Sequence, residues 1–278
     1  MIISRVTVAG SGTMGSGIAC LAARAGFSAT VVTRDPNKAF DRIVTLARKA
    51  AAKEGKGDEY VDEVMSRISC TRDVATCLTD LVIECLPEDV HIKREWFRAA
   101  DRALPQSVAF ASNTSCLPLD VLFEGIRDRL CLGIHFFNPV HAMRLVEVAP
   151  VGDTPARCRD GVIEFLRALG KEPVEVPPKP GYVVNRMLDA FINRAARLVD
   201  DDGLDPETVD KCVRLGTNHP MGPLALADLI GIDTLVANLD ALYQAYRDPE
   251  FLPAKSLERL LQQGRLGRKS GRGFFSYS

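Results

Sequence analysis

A short apolar strand that runs directly into Gly10-Ser11-Gly12-Thr13-Met14-Gly15-Ser16-Gly17 restricts this chain more than any other feature. Residues 4–9 are alternating and β-branched, and residues 14–25 are small, apolar and helix-compatible. In a G-x-G-x-x-G junction the first glycine permits a tight turn and the second lets backbone approach a pyrophosphate. The third allows the helix to pack closely on the strand. The N-terminus of that helix then presents unpaired N–H groups and the positive end of its dipole to an anion. Gly10, Gly12, Thr13, Met14 and Gly15 are thus expected to hold a dinucleotide. A second strand at 28–33 supplies the β-α-β context that the motif requires.

The pattern continues for two-thirds of the chain. Strands are expected at 4–9, 28–33, 68–70, 81–85, 108–111, 130–136, 145–148 and 173–176. Helical periodicity fills 36–53, 58–66, 88–103 and 154–169. Alternation of this kind, with nearly continuous apolar strands, predicts a doubly wound, mostly parallel α/β sheet covered on both faces. Pro177-Pro178-Lys179-Pro180-Gly181 can continue neither a helix nor a central strand and reads as a linker. Beyond it only helical spacing remains, at 182–199, 205–215, 223–246 and 254–263. The expected organisation is a dinucleotide-binding α/β domain over 1–179 and an all-α C-terminal domain over 180–278.

Composition removes several classes of partner. The 278 residues are 46% hydrophobic and 26% charged, with a net charge of −1. That balance describes an ordinary globular protein, without the basic excess that attracts nucleic acid. No apolar run approaches the roughly 18–20 residues that span a bilayer. Neither end carries a recognisable targeting signal, so neither membrane nor nucleic acid is expected as a partner and a cytoplasmic location is. The eight cysteines include no C-x-x-C pair, and no cluster of His, Cys, Asp or Glu has metal-ligand spacing, so no metal is expected.

Four polar positions interrupt the apolar pattern where a doubly wound sheet gathers its ligands. Ser112-Asn113-Thr114-Ser115 closes one expected strand, and His135 ends the next. Glu147 is a carboxylate inside the otherwise apolar Leu145-Val146-Glu147-Val148, and Asn185 opens the helical region. Singly, each has a structural explanation: a packed histidine, an ion-paired glutamate, a helix-capping serine, a buried asparagine. Together they take their meaning from the longer set of motifs to which they belong.

The ordered motifs G-S-G-T-M-G-S-G, S-N-T-S, H-F-F-N-P, L-V-E-V, P-G-Y-V-V-N-R, N-H-P-M-G-P and G-R-K-S-G-R-G-F resemble the L-3-hydroxyacyl-CoA dehydrogenase family. The resemblance covers essentially the whole chain and is to the stand-alone, 3-hydroxybutyryl-CoA dehydrogenase-like form. It implies a Rossmann domain followed by a helical substrate and dimerisation domain, and hence a homodimer. It also implies an NAD(P)-dependent oxidoreductase that interconverts a (3S)-3-hydroxyacyl thioester and its 3-oxoacyl form. By the same resemblance His135 is the catalytic histidine, and Glu147 is the carboxylate that orients it. Ser115 lies near the substrate oxygen and the nicotinamide, and Asn185 holds that oxygen. Glu88, Lys93, Asn138 and Lys269 match positions that touch the cofactor.

The second strand departs from the family. Where an Asp commonly bonds the adenosine ribose, this chain has Thr33, followed by Arg34-Asp35-Pro36-Asn37-Lys38. An uncharged residue relieves repulsion with a 2′-phosphate, and Arg34, helped by Lys38, offers that phosphate charge. NADP is therefore favoured, the alternative being Asp35 on the ribose after a shift of two residues. Lys49 and Lys53 fall where the family reaches toward the CoA nucleotide, and their basic edge also suits an acyl carrier protein. Two rival readings remain: a dehydrogenase of a carrier-bound or free hydroxy acid, and a non-catalytic, crystallin-like NAD(P)H-binding protein.

Overall fold

The computed structural model describes residues 1–126, 128–152 and 156–277. The chain divides into two compact units, Met1–Lys179 and Pro180–Ser278.

The first unit is built on β1 (Arg5–Ala9), β2 (Ser28–Val32), β3 (Ile68–Thr71), β4 (Leu81–Glu84), β5 (Ala109–Ser112), β6 (Cys131–Phe136), β7 (Leu145–Pro150) and β8 (Glu172–Glu175). Its helices are α1 (Thr13–Arg24), α2 (Pro36–Glu54), α3 (Asp58–Met65), α4 (Val90–Ala103), the single turn α5 (Leu119–Leu122) and α6 (Ala156–Ala168). The start expected for α6 at Thr154 lies outside the described residues. One sheet contains all eight strands in the order β3-β2-β1-β4-β5-β6-β7-β8. The order reverses between β1 and β4, and this switch point opens a crevice at their carboxyl ends. Val8, Val31, Ile83, Leu132 and Ile134 are wholly buried in the sheet, against Ile18 and Ala22 of α1 and Ile43 of α2. Each such Val or Ile contributes roughly 1.5–3 kcal/mol by burial.

Two strands, β7 and β8, run the other way. β7 is antiparallel to β6, while every other pairing in the sheet is parallel. The connection 137–144 is too short for the dozen or more residues of a parallel crossover, so the chain folds straight back. β8 carries Pro173 at the sheet edge, where the missing N–H costs no ladder bond.

The second unit contains α7 (Val184–Asp201), α8 (Pro206–Thr217), α9 (Pro223–Ile230), α10 (Ile232–Tyr246) and α11 (Lys255–Gln262). Its core gathers Ile192, Ala196, Leu224, Leu235, Leu239, Leu242 and Leu257, all fully buried. The single helix expected over 223–246 is two, because Gly231 adopts φ +103° and ends α9. Asp210 caps α9 by accepting the N–H groups of Leu224 (2.8 Å) and Ala225 (2.9 Å). Asp228, 1% exposed, accepts the N–H groups of Phe274 and Phe275 and the hydroxyl of Tyr277, each at 2.9 Å. The terminal glycine-rich segment therefore closes over a buried carboxylate.

Candidate active site

The glycine-rich turn is held from beneath and left open above. Gly10 has φ +101°, and a Cβ there would come within 2.6 Å of the Cys85 carbonyl oxygen. A Cβ on Gly15 would come within 2.0 Å of the Gly10 oxygen, so α1 reaches the strand only because both residues lack side chains. At Gly12 nothing lies within 4 Å of the same position. Gly12 is also the N-cap of α1, and no side chain caps that helix. An open approach onto uncapped helical N–H groups is what a diphosphate requires, so this turn fits a dinucleotide. Thr13 is exposed beside it and Met14 packs against the core. Ser16 Oγ donates to the Ser11 carbonyl (3.0 Å). Arg42 of α2 spans the turn, donating to the Ser11 carbonyl (3.3 Å) and to Thr13 Oγ1 (3.0 Å).

At the end of β2, Thr33 Oγ1 and Ser11 Oγ share a hydrogen bond of 2.8 Å. Arg34 and Lys38 are exposed just beyond. Asp35 is the N-cap of α2, accepting the Lys38 N–H at 3.1 Å ahead of Pro36. Its carboxylate thus has a local role that accounts for the Asp-Pro pair.

The reversal of β7 brings a histidine and a glutamate together. In the antiparallel ladder His135 stands directly opposite Glu147, and directly opposed residues share a face of the sheet. His135 Nδ1 lies 2.9 Å from Glu147 Oε2, and His135 Nε2 lies 3.2 Å from Ser115 Oγ. Glu147 is 1% exposed and His135 4%. An ionised Glu147 only accepts, so Nδ1 carries the proton and Nε2 presents its lone pair toward Ser115. The Phe137 ring meets the imidazole edge-on with centroids 4.6 Å apart. Asn113 Oδ1 accepts the Phe136 N–H at 2.9 Å and so ties the end of β5 to that of β6.

Beneath Ser115 lies a second charged group. Glu88 accepts the Thr114 hydroxyl (2.6 Å) and the N–H groups of Ser115 (2.8 Å) and Cys116 (3.2 Å) on one oxygen. Its other oxygen is 3.2 Å from Lys93 Nζ. Lys93 is 1% exposed, and its ammonium also bonds Glu84 Oε1 (2.7 Å) and the Leu86 carbonyl (3.2 Å). The remaining Glu84 oxygen accepts Ser112 Oγ at 2.6 Å. Burial works against the Lys93 ammonium, but Glu84 and Glu88 overcome it and hold its pKa above the usual lysine value. Burial also opposes the Glu88 carboxylate, yet Lys93 and the three donors keep it below the ordinary range. Lys93, expected among the cofactor contacts, has its three donors on protein acceptors below the surface. It reaches the site through Glu88, the half-exposed member of the pair.

A cavity of about 320 Å³ opens between α1, α2 and the 137–144 connection. Leu21, Leu46 and Val140 give it apolar walls, Lys49 and Lys53 line it from α2, and Asn138 and His141 line it from the connection. Two expected site residues belong to the second unit. Asn185 is half-buried in the first turn of α7, and the Lys269 ammonium pairs with Asp233 Oδ2 at 2.6 Å. Among the described residues no group of three or more His, Cys, Asp and Glu side chains is arranged to hold a metal ion.

Arg42 and Glu84 were not singled out from the sequence, and Asn113 only as part of its polar cluster. Arg42 had a signal, standing four residues after Lys38 on one face of α2, and so did Glu84, an acid that ends an apolar strand.

The family model described as 3-hydroxyacyl-CoA dehydrogenase, NAD binding domain, matches residues 5–179, and its C-terminal domain model matches residues 181–277. A probable 3-hydroxybutyryl-CoA dehydrogenase of Bacillus subtilis is 39% identical over 282 residues, covering 100% of this chain and 98% of the relative. Among solved structures, M. tuberculosis FadB2 is 36% identical with a TM-score of 0.95, covering all of both chains. The (S)-3-hydroxybutyryl-CoA dehydrogenase PaaH1 of Ralstonia eutropha is 35% identical with a TM-score of 0.93, covering 99% of each.

Proposed function

The chain belongs to the 3-hydroxyacyl-CoA dehydrogenase family of oxidoreductases, and from that premise we propose that it interconverts a (3S)-3-hydroxyacyl thioester and the 3-oxoacyl thioester, with His135 as the acid–base residue. The single observation that carries this reading is the relay Glu147–His135–Ser115, with contacts of 2.9 and 3.2 Å. A bound nicotinamide supplies the hydride acceptor or donor. His135 Nε2 takes the hydroxyl proton in oxidation and returns it in reduction. Glu147 holds the ring in the useful tautomer and stabilises the imidazolium that forms. Ser115 Oγ and Asn185 orient the substrate oxygen as charge develops on it. Gly10, Gly12, Thr13, Met14 and Gly15 receive the diphosphate, with Glu88, Asn138 and Lys269 as further cofactor contacts.

The cofactor we favour is NADP. Thr33 spends its hydroxyl on Ser11, Asp35 caps α2, and Arg34 and Lys38 stand exposed beside the expected ribose. Lys49 and Lys53 are assigned to the phosphates of a CoA thioester, with the apolar walls around them for its arm. A homodimer and a cytoplasmic location complete the proposal.

Acetoacetyl-CoA reduction followed separately with NADPH and NADH tests the activity, and the same acyl group on acyl carrier protein tests the carrier. Turnover of neither thioester, with NAD(P)H bound, would leave a dinucleotide-binding protein without this chemistry. Arg34→Glu is expected to raise the KM for NADPH at least tenfold and that for NADH little. An unchanged ratio would remove the NADP assignment.

A further inference from the structure

The connection 137–144 supplies one wall of the 320 Å³ cavity through Asn138, Pro139, Val140 and His141. It contains no helix or strand, so its position must be fixed by contacts from outside. Two of these contacts meet at Val140. On the cavity side Val140, 5% exposed, rests on α1 at Gly17, where a Cβ would come within 3.1 Å of Val140 Cγ2. On the far side Lys171, which immediately precedes β8 and is 7% exposed, turns its ammonium inward to the carbonyl oxygens of Val140 and Met143, the latter at 2.8 Å.

A cation used in this way is unusual. Both acceptors described for it are carbonyl oxygens, and burial pushes its pKa below the ordinary lysine value. Burying an ammonium on dipoles alone is costly, so an apolar side chain would serve better if filling space were the only need. What the ammonium adds is direction, because it draws two carbonyls of one turn to a single point and holds Val140 against Gly17.

We propose that Lys171 is a positioning residue for the thioester: it sets the gap between the 137–144 connection and α1, and with it the width of the channel that receives the pantetheine arm. This rests on the reading of the cavity as the CoA site. It assigns substrate affinity to a residue at the edge strand that touches neither substrate nor cofactor.

The test compares Lys171→Met, Lys171→Arg and Gly17→Ala with the wild type, using acetoacetyl-CoA turnover and calorimetric titration with CoA and with NADPH. Lys171→Met is expected to raise the acetoacetyl-CoA KM and the CoA Kd about tenfold, with kcat and the NADPH Kd changing less than about twofold. Lys171→Arg, which can still bond two carbonyls, should recover part of that loss. Gly17→Ala pushes Val140 from the opposite wall and should also raise the KM for the thioester. Should Lys171→Met fail to fold, Gly17→Ala decides alone.

An unchanged thioester KM in the folded variants overturns the proposal, as does a fall in kcat without a change in KM. Lys49→Ala with Lys53→Ala separates the two levels of inference. If that pair leaves CoA binding intact, the cavity reading is wrong and this proposal falls with it. If it weakens CoA binding and Lys171→Met does not, only the role of Lys171 is lost.

Discussion

Two segments, Gly10–Gly17 and Gly264–Gly273, are both rich in glycine and are packed in opposite ways. In the first, Gly12 faces open space. In the second, a Cβ on Gly273 would come within 1.8 Å of Asp228 Oδ1, and one on Gly267 within 2.2 Å of the Asp228 carbonyl oxygen. One segment leads into a helix N-terminus that no side chain caps, and the other packs its glycines against a buried aspartate whose donors come from Phe274, Phe275 and Tyr277 just beyond it. Glycine spacing alone does not separate a binding turn from a closure. What separates them is whether the position of the missing side chain is already occupied.

The same contrast divides the buried carboxylates. Glu147 holds the imidazole of His135, whereas Asp228 holds the 274–277 segment. Its sharpest test is His135→Gln, expected to lower kcat by about 10²–10⁴-fold with the Tm nearly unchanged. A comparable loss of stability in place of activity would make the relay a structural device like the one around Asp228. Next in size is the glycine pair. Gly273→Ala should displace the tail from Asp228 and cost about 2–4 kcal/mol in denaturant unfolding. Gly12→Ala should leave unfolding unaltered and weaken dinucleotide binding at least tenfold, read by titration with NADPH. Equal effects of the two substitutions on stability would erase the distinction.

The smallest effect concerns Asp189 of α7. Burial lifts its carboxyl to about 7, against a hydrogen bond from Asn238 that works the other way. A carboxyl whose pKa is higher folded than unfolded binds its proton more tightly in the native state. Its ionisation therefore lowers stability as pH rises from about 4 through 7. Asp189→Asn should remove that slope and raise stability at pH 8 by about 1–3 kcal/mol, measured by urea unfolding across pH. A slope that persists in the variant would place its origin elsewhere.

Much of this was legible in the residues. Runs such as Leu81-Val82-Ile83-Glu84 and Cys131-Leu132-Gly133-Ile134-His135-Phe136 signal buried strands by composition, and the strand–glycine–helix junction fixes the start of the sheet. His135 and Glu147 were visible as polar intrusions into those runs. Their direct opposition was not, because it depends on the direction of β7, and only the short connection before it carried that information. Sequence does not tell an exposed lysine from one enclosed, like Lys93, by two carboxylates. Lys171 gave no signal, since its partners are backbone carbonyls that every residue possesses. The break at Gly231 was hidden by apolar periodicity that runs through it.

The reversed strand has a further consequence. Because imidazole and carboxylate face each other across one rung, the ladder itself sets their spacing, whatever lies at the hairpin's tip. Residues 139–143 can lengthen, shorten or change character without disturbing the His135–Glu147 contact, provided the pairing keeps its register. The lining of the cavity can thus vary at the tip while the imidazole–carboxylate geometry at the base stays fixed.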